Sequence, residues 1–323
     1  MPISAPVASK APQCSCRERA GTGALEHPST LTVNGHGEAA EPPAGAATAI
    51  RAPLVAEAAW MIETHALTKR FDHVTAVDRL TLAVSQGQVF GLLGPNGAGK
   101  STVMKMLVTL LPPTSGTATV AGYDLLGQPA LVRRSIGYVP QFLSADGLLT
   151  GYENLLIFAQ LYDLPRQERA ARIDQALTSA GLHDAAHHLV NTYSGGMIRR
   201  LEVVAAMLHR PRVLFLDEPT VGLDPVARHA IWHQIQDLVA EHGTTVVMTT
   251  HLMDEADALC DRIAIMSSGR VCALGSVDEL KAAMQTPDAT LDDVFAHYAG
   301  SPTKTGEQFR DIATTRRAAA RLG

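Results

Sequence analysis

The chain has 323 residues, enough for one large or two ordinary domains, and 46% of them are hydrophobic, ample for a core. Its 27 Lys and Arg against 32 Asp and Glu, a net charge of −5, and only 5% aromatics exclude a basic coat or base-stacking platform, so no nucleic-acid partner is expected. Four cysteines exclude a disulfide-built fold, and no run reaches the roughly 18 apolar residues of a membrane helix, which predicts a soluble protein with room for a membrane partner.

Residues 1–60 contain 15 Ala, 7 Pro and 5 Gly, and their one aromatic is Trp60 at the end. Such a leader cannot bury enough apolar surface to offset its ordering entropy, and disorder is expected. It lacks the apolar stretch of roughly 7–15 residues that defines a signal peptide. Cys14 and Cys16, spaced C-x-C with no second pair nearby, read as incidental thiols. The working protein is expected to begin near Met61.

From Met61 the pattern is α/β. Short apolar runs predict strands at 61–67, 80–84, 89–93, 117–120, 136–139, 213–216, 245–249, 262–266 and 270–274. Residues 89–93 lead directly into Gly94, Pro95, Asn96, Gly97, Ala98, Gly99, Lys100 and Ser101, and a helix is predicted from Thr102 to Leu110. This is G-x-x-x-x-G-K-S in a strand–loop–helix setting. Glycines let backbone N–H groups turn inward around phosphate oxygens, and the helix start adds its positive dipole end. Lys100 supplies charge to the outer phosphates, and Ser101 offers an oxygen to Mg²⁺.

Between about Gln141 and Asn191 there is no strand signal. Thr150 and Glu153 have capping-box spacing ahead of Leu155, Leu156, Phe158, Ala159 and Tyr162, which predicts a helix broken at Pro165. A second is predicted over 167–180, closed by Gly181. His183, His187 and His188 lack a carboxylate or thiol partner set and read as a solvated face. Tyr193-Ser194-Gly195-Gly196-Met197 then opens a helix predicted to run to His209, with Ser194 as N-cap. By itself this is a common turn, but it lies 23 residues before Asp217 in one helix–loop–strand unit.

Strand 213–216 ends in Asp217 and Glu218. Carboxylates at the C-terminal end of a strand of an open α/β sheet sit where ligands bind. Asp217 suits Mg²⁺ or its water shell, and Glu218 suits a base acting on water. Cys260 and Cys272 read as small apolar fillers. Residues 281–300 read as a short helical extension. Residues 301–323 carry Arg310, Arg316, Arg317 and Arg321, either a solvated tail or a dock for a partner or an anionic membrane face.

With these motifs in order, about Met61–Leu280 resembles the ATP-binding cassette (ABC) ATPases. Gly94–Thr102 looks like the Walker A motif, Gln141 like the Q-loop, Ser194, Gly195, Gly196 and Met197 like the signature, and Asp217 and Glu218 like Walker B with its catalytic Glu. Gly222-Leu223-Asp224 looks like the D-loop and His251 like the switch histidine. Phe71 stands where the family commonly carries an adenine-stacking Tyr. The signature departs from the commoner Leu-Ser-Gly-Gly-Gln, since Met197 cannot donate as Gln does, but Ser194 and the glycine amides remain.

The resemblance implies an α/β P-loop NTPase fold: a RecA-like core over 61–280 with an inserted helical subdomain at about 141–191, between the leader and a C-terminal extension over 281–323. It implies ATP and Mg²⁺ as cofactors, with Ser101, Gln141 and Asp217 around the metal, and Glu218, His251 and Gln141 as the hydrolytic residues. It also implies a head-to-tail dimer, expected to be a homodimer, in which each ATP lies between one cradle and the other subunit's signature. Thr150–Leu155, Ser194–Pro219 and Thr290–Phe295 are similar to ATPase subunits of drug exporters of the daunorubicin-resistance type, which pair with ABC-2 permeases. That implies a peripheral place on the cytoplasmic membrane face, with the permease docked near 141–158. The alternatives are lipid or polysaccharide export, a non-transport ABC ATPase, or a regulatory module that does not turn over. A single cradle, the 94-residue gap from Lys100 to Ser194 without heptads, and the presence of Glu218 and His251 argue against the last two.

Overall fold

The computed structural model describes residues 60–284, 286 and 288–299. The leader, apart from Trp60, and the basic tail lie outside the described residues. A long hairpin comes first, β1 (Trp60–Phe71) and β2 (Val74–Ser85), then β3 (Val89–Leu93), α1 (Lys100–Leu107), β4 (Ser115–Val120), β5 (Tyr123–Asp124), α2 (Pro129–Ser135) and β6 (Ile136–Val139). Helices α3 (Gly151–Leu161), α4 (Arg166–Ser179) and α5 (Gly195–Met207) follow. The chain returns through β7 (Val213–Asp217), α6 (Pro225–His242), β8 (Thr245–Thr250), α7 (Met253–Leu259), β9 (Arg262–Ser267), β10 (Arg270–Ser276), α8 (Val277–Ala283) and α9 (Leu291–Ala299).

The strands form two sheets, β2-β1-β4-β5, all antiparallel, and β10-β9-β3-β8-β7-β6, parallel except for β10. The period of two along the parallel strands sorts their side chains between two cores. Phe90, Leu92, Val213, Phe215 and Val247 pack with the antiparallel sheet and α1. Val89, Leu93, Leu214, Leu216, Val246 and Met248 pack with α6, α7 and α9 on the other face. A third core joins α3 and α4 to one side of α5. Helix α5 belongs to two of them: Val203, Ala206 and Met207 face the sheet, while Leu201, Val204, Ala205 and Leu208 face the helices.

All nine predicted strands form, some of them longer. β1 and β2 run past their apolar runs into Thr-, Lys- and Arg-bearing ends, held by backbone pairing with several register shifts. The capping box forms at α3: Thr150 accepts from the Glu153 N–H and Glu153 accepts from the Thr150 N–H. Helix α1 begins two residues earlier than predicted and stops at Leu107, because Thr109 takes a left-handed φ of 63°. Cys260 is buried, as expected of a filler, but Cys272 is exposed. It lies on β10, the edge strand of its sheet.

Candidate functional site

In the strand order β3-β8-β7-β6, four neighbouring parallel strands end at one edge. The residues that follow them are the cradle after β3, His251 after β8, Glu218 after β7 and Gln141 after β6. Sheet topology alone therefore gathers residues spread over more than a hundred positions, at the edge where open α/β sheets bind ligands.

The cradle wraps the start of α1, with Gly99 at the N-cap and a φ of 106°. A Cβ there would stand 2.5 Å from the Ala76 carbonyl oxygen, so only glycine fits. Lys100 folds back into its own loop, donating to the Gly94 carbonyl at 2.7 Å and the Pro95 carbonyl at 3.3 Å, with Glu218 Oε1 at 3.7 Å. Burial pushes the Lys100 ammonium below its ordinary value, while Glu218 and Asp217 oppose that. Ala76, Asn96–Thr102, Gln141 and Glu218 line an open cavity of about 210 Å³.

Glu218 is the meeting point. It is buried, with a left-handed φ of 50°, uncommon for a side chain with a Cβ. Its N–H is pinned by Thr249, to the hydroxyl at 2.9 Å and the carbonyl at 3.2 Å. This turn aims the carboxylate at three partners. Gln141 Nε2 donates to Oε2 at 3.1 Å, and His251 Nδ1 and Lys100 Nζ lie 3.5 and 3.7 Å from Oε1. Asp217 accepts at Oδ1 from the Thr249 hydroxyl at 2.6 Å and the Ser101 hydroxyl at 3.3 Å. A hydroxyl and a carboxylate together form a hard oxygen donor set that fits Mg²⁺.

Other predicted residues lie elsewhere. Ser194 caps α5, accepting from the Met197 N–H at 3.3 Å, and Asp224 caps α6, accepting from the Ala227 N–H at 2.9 Å. Both are exposed, and none of Ser194, Gly195, Gly196, Met197 and Asp224 lines the cradle cavity. Gly195 lies beside the Leu223 side chain, and a Cβ on Gly196 would meet that of Ala227 at 2.8 Å, so the starts of α5 and α6 share one tight, outward-facing corner. Phe71 is exposed at the tip of the first hairpin, with Lys69 Nζ 5.1 Å from its ring centre.

Three participants were not legible beforehand. Thr249 resembles any β-branched strand residue, one of three threonines in the strand Thr245–Thr250. Arg199 and Glu202 sit on α5 at i, i+3, a spacing that usually marks a solvated face. Here both are buried and paired at 3.0 Å.

Residues 77–221 match the ABC transporter family. The daunorubicin/doxorubicin resistance ATP-binding protein of Streptomyces peucetius is 48% identical over 69% of this chain and 67% of that protein. The Nod factor export ATP-binding protein I of Sinorhizobium fredii is 42% identical over 75% of this chain and 68% of its own. Among solved structures, a dimeric ATP-binding cassette in a post-hydrolysis state, bound to ADP and Pi, superposes with a TM-score of 0.61 at 28% identity. It covers 67% of this chain and 98% of that one.

Proposed function

The chain belongs to the ABC transporter family as an ATP-binding, ATP-hydrolysing subunit, and from that premise we propose that it drives drug export through a separate ABC-2-type permease, using Glu218 as the hydrolytic base. The observation that carries this is the convergence of Lys100, Gln141 and His251 on the two oxygens of one buried carboxylate. The cradle amides and Lys100 bind the ATP phosphates. Glu218 orients and deprotonates the attacking water, and Gln141 and His251 hold Glu218 and register the γ-phosphate. Ser101 and Asp217, with Gln141 beside them, would hold Mg²⁺, which neutralises phosphate charge when bound. Phe71 offers its ring face to adenine.

Residues 61–280 are the catalytic unit, with 141–191 as its helical arm. Ser194–Met197 and Asp224 serve the nucleotide of a second subunit, a role supported by the exposure of Ser194, Gly195 and Asp224 and by the absence of the whole set from this chain's own cavity. The permease docks on exposed apolar side chains around the arm: Phe142, Leu143, Leu148, Ile157 and Leu161. Among the described residues no helix is long and apolar enough to cross a membrane, which supports a peripheral subunit held at the cytoplasmic face by that permease. The identity to Nod factor export proteins favours a second reading, in which the exported cargo is not a drug.

Glu218→Gln is the test. It keeps size and hydrogen-bonding reach and removes the charge that activates water. ATP binding should stay near normal while hydrolysis slows by ~10²-fold or more. Turnover within a few-fold of wild type would remove Glu218 from this role.

A further inference from the structure

The loop after β6 is held from one side. Arg199 Nη1 donates to the Pro140 carbonyl at 2.7 Å, and Nη2 donates to the Gln141 carbonyl at 2.7 Å. Glu202 Oε1 accepts from the Ser144 N–H, the Ser144 hydroxyl at 3.0 Å and the Ala145 N–H at 3.2 Å. The two side chains also bind each other, Nη1 to Oε2 at 3.0 Å. Arg199 therefore gives both nitrogens to the start of the loop, sharing Nη1 with Glu202, while Glu202 gives Oε2 to Arg199 and Oε1 to the end of the loop. Between the two anchors the exposed apolar pair Phe142 and Leu143 bulges outward. Inward from the first anchor, the Gln141 amide rests on Glu218.

Stability does not account for such a pair. Taking two charges out of water is costly, and well-packed apolar residues in place of a buried ion pair are often as stable or more so. Arg199 and Glu202 lie 2% and 6% exposed on a helix that is otherwise apolar at its buried positions. What apolar residues could not do is hold carbonyls and amides of a loop that is half-exposed and has no sheet partner of its own. The anchor is also rigidly tied to the signature, since Arg199 and Ser194 belong to one helix and its cap, roughly two turns or less apart.

We propose that Arg199 and Glu202 are positioning residues for ATP hydrolysis: the buried pair makes the loop Pro140–Ala145 move with the signature helix, and so sets the Gln141 amide against Glu218. The role rests on Glu218 and Gln141 acting as proposed above. Displacement of α5 by a second subunit, or of Phe142 and Leu143 by a membrane partner, then reaches the hydrolytic carboxylate through the same two side chains.

The test is a double-mutant cycle on full-length protein, with kcat, KM and ATP affinity measured for Arg199→Met, Gln141→Ala and the combination. If Arg199 acts through Gln141, Arg199→Met lowers kcat about tenfold with KM and ATP affinity within twofold, since a small misplacement of a catalytic group is enough for that. The combined variant should then be no slower than Gln141→Ala, because the two changes remove one function. A merely structural role gives losses that multiply, which overturns the proposal, as does wild-type kcat in Arg199→Met. Should Arg199→Met fold poorly because Glu202 is left unpaired, Arg199→Met with Glu202→Met removes both charges, and the same cycle is run from that pair. Gln141→Ala with full turnover would instead sink the underlying role of Gln141, so the two failures are distinguishable.

Discussion

At the scale of single residues the site depends on a hydroxyl that does no chemistry. Thr249 Oγ1 donates to Asp217 at 2.6 Å and accepts from the Glu218 N–H at 2.9 Å, so one side chain ties the Asp217 carboxylate to the Glu218 backbone. Glu218 holds a left-handed backbone, and the Thr249 bonds keep it there. Thr249→Val keeps the shape and removes the oxygen. It leaves a buried carboxylate one donor short, at a cost of about 1–3 kcal/mol in unfolding free energy. Turnover should fall with it, because Glu218 can relax from its strained turn. Thr249→Ser restores the oxygen and should recover most of both. Equal stability and turnover in Thr249→Val, by urea unfolding and steady-state ATPase assay, would show that Asp217 and Glu218 hold themselves.

At the scale of elements, the helices α3–α5 are joined to the sheet by a histidine. His209, just past α5, stacks on Tyr162 at the end of α3, with ring centres 3.6 Å apart and planes 2° from parallel. Its Nε2 lies 3.0 Å from the Ile136 carbonyl at the start of β6. Its Nδ1 is buried without a partner among the described residues. Burial pushes its pKa down to about 4, so the folded state holds it neutral. Unfolded, it titrates near 6.5, and between those values the unfolded chain binds the extra proton. Its contribution to stability is therefore flat above pH 6.5 and lost as pH falls toward 4, by at most about 3 kcal/mol. His209→Phe keeps the stack and cannot take the proton. The difference in unfolding free energy between wild type and variant should shrink, or reverse, from pH 7 to pH 5. A constant difference would mean that His209 titrates alike in both states. None of this junction was legible from sequence, since no periodicity places Tyr162 over His209. What was legible is what local chemistry dictates: the glycine-rich turn, the caps at Thr150 and Ser194, and buried strands of β-branched and apolar residues. The hairpin ends escaped because their few buried residues, Thr68 and Val77, stand among polar and charged ones and make no apolar run, and the Arg199–Glu202 clamp escaped because an i, i+3 pair of charges ordinarily faces water.

At the scale of the whole molecule, the chain carries two groups of predicted site residues that do not meet. The cradle cavity draws on the loop after β3, the end of β6 and the end of β7, whereas Ser194 and Asp224 cap α5 and α6 at an exposed corner outside it. That corner is closely packed: a Cβ on Gly196 would meet that of Ala227 at 2.8 Å, and Gly195 lies against Leu223 beside them. On the proposed reading, a nucleotide in the cradle of one subunit offers its γ-phosphate to donors on another: the Ser194 hydroxyl and the amides opening α5. Helix starts favour anions, so on that reading the corner should gain its partner only when a phosphate fills the facing cradle. Glu218→Gln, which keeps ATP uncleaved, should dimerise in ATP and remain monomeric in ADP by light scattering. Adding Ser194→Arg should abolish that dimer by placing bulk where the phosphate enters. It should leave ATP binding to the dilute monomer within twofold, because Ser194 does not line the monomer's own cavity. A dimer that survives Ser194→Arg would place the subunit contact on another face. An ATP affinity that collapses in the monomer would mean that one chain completes its own site.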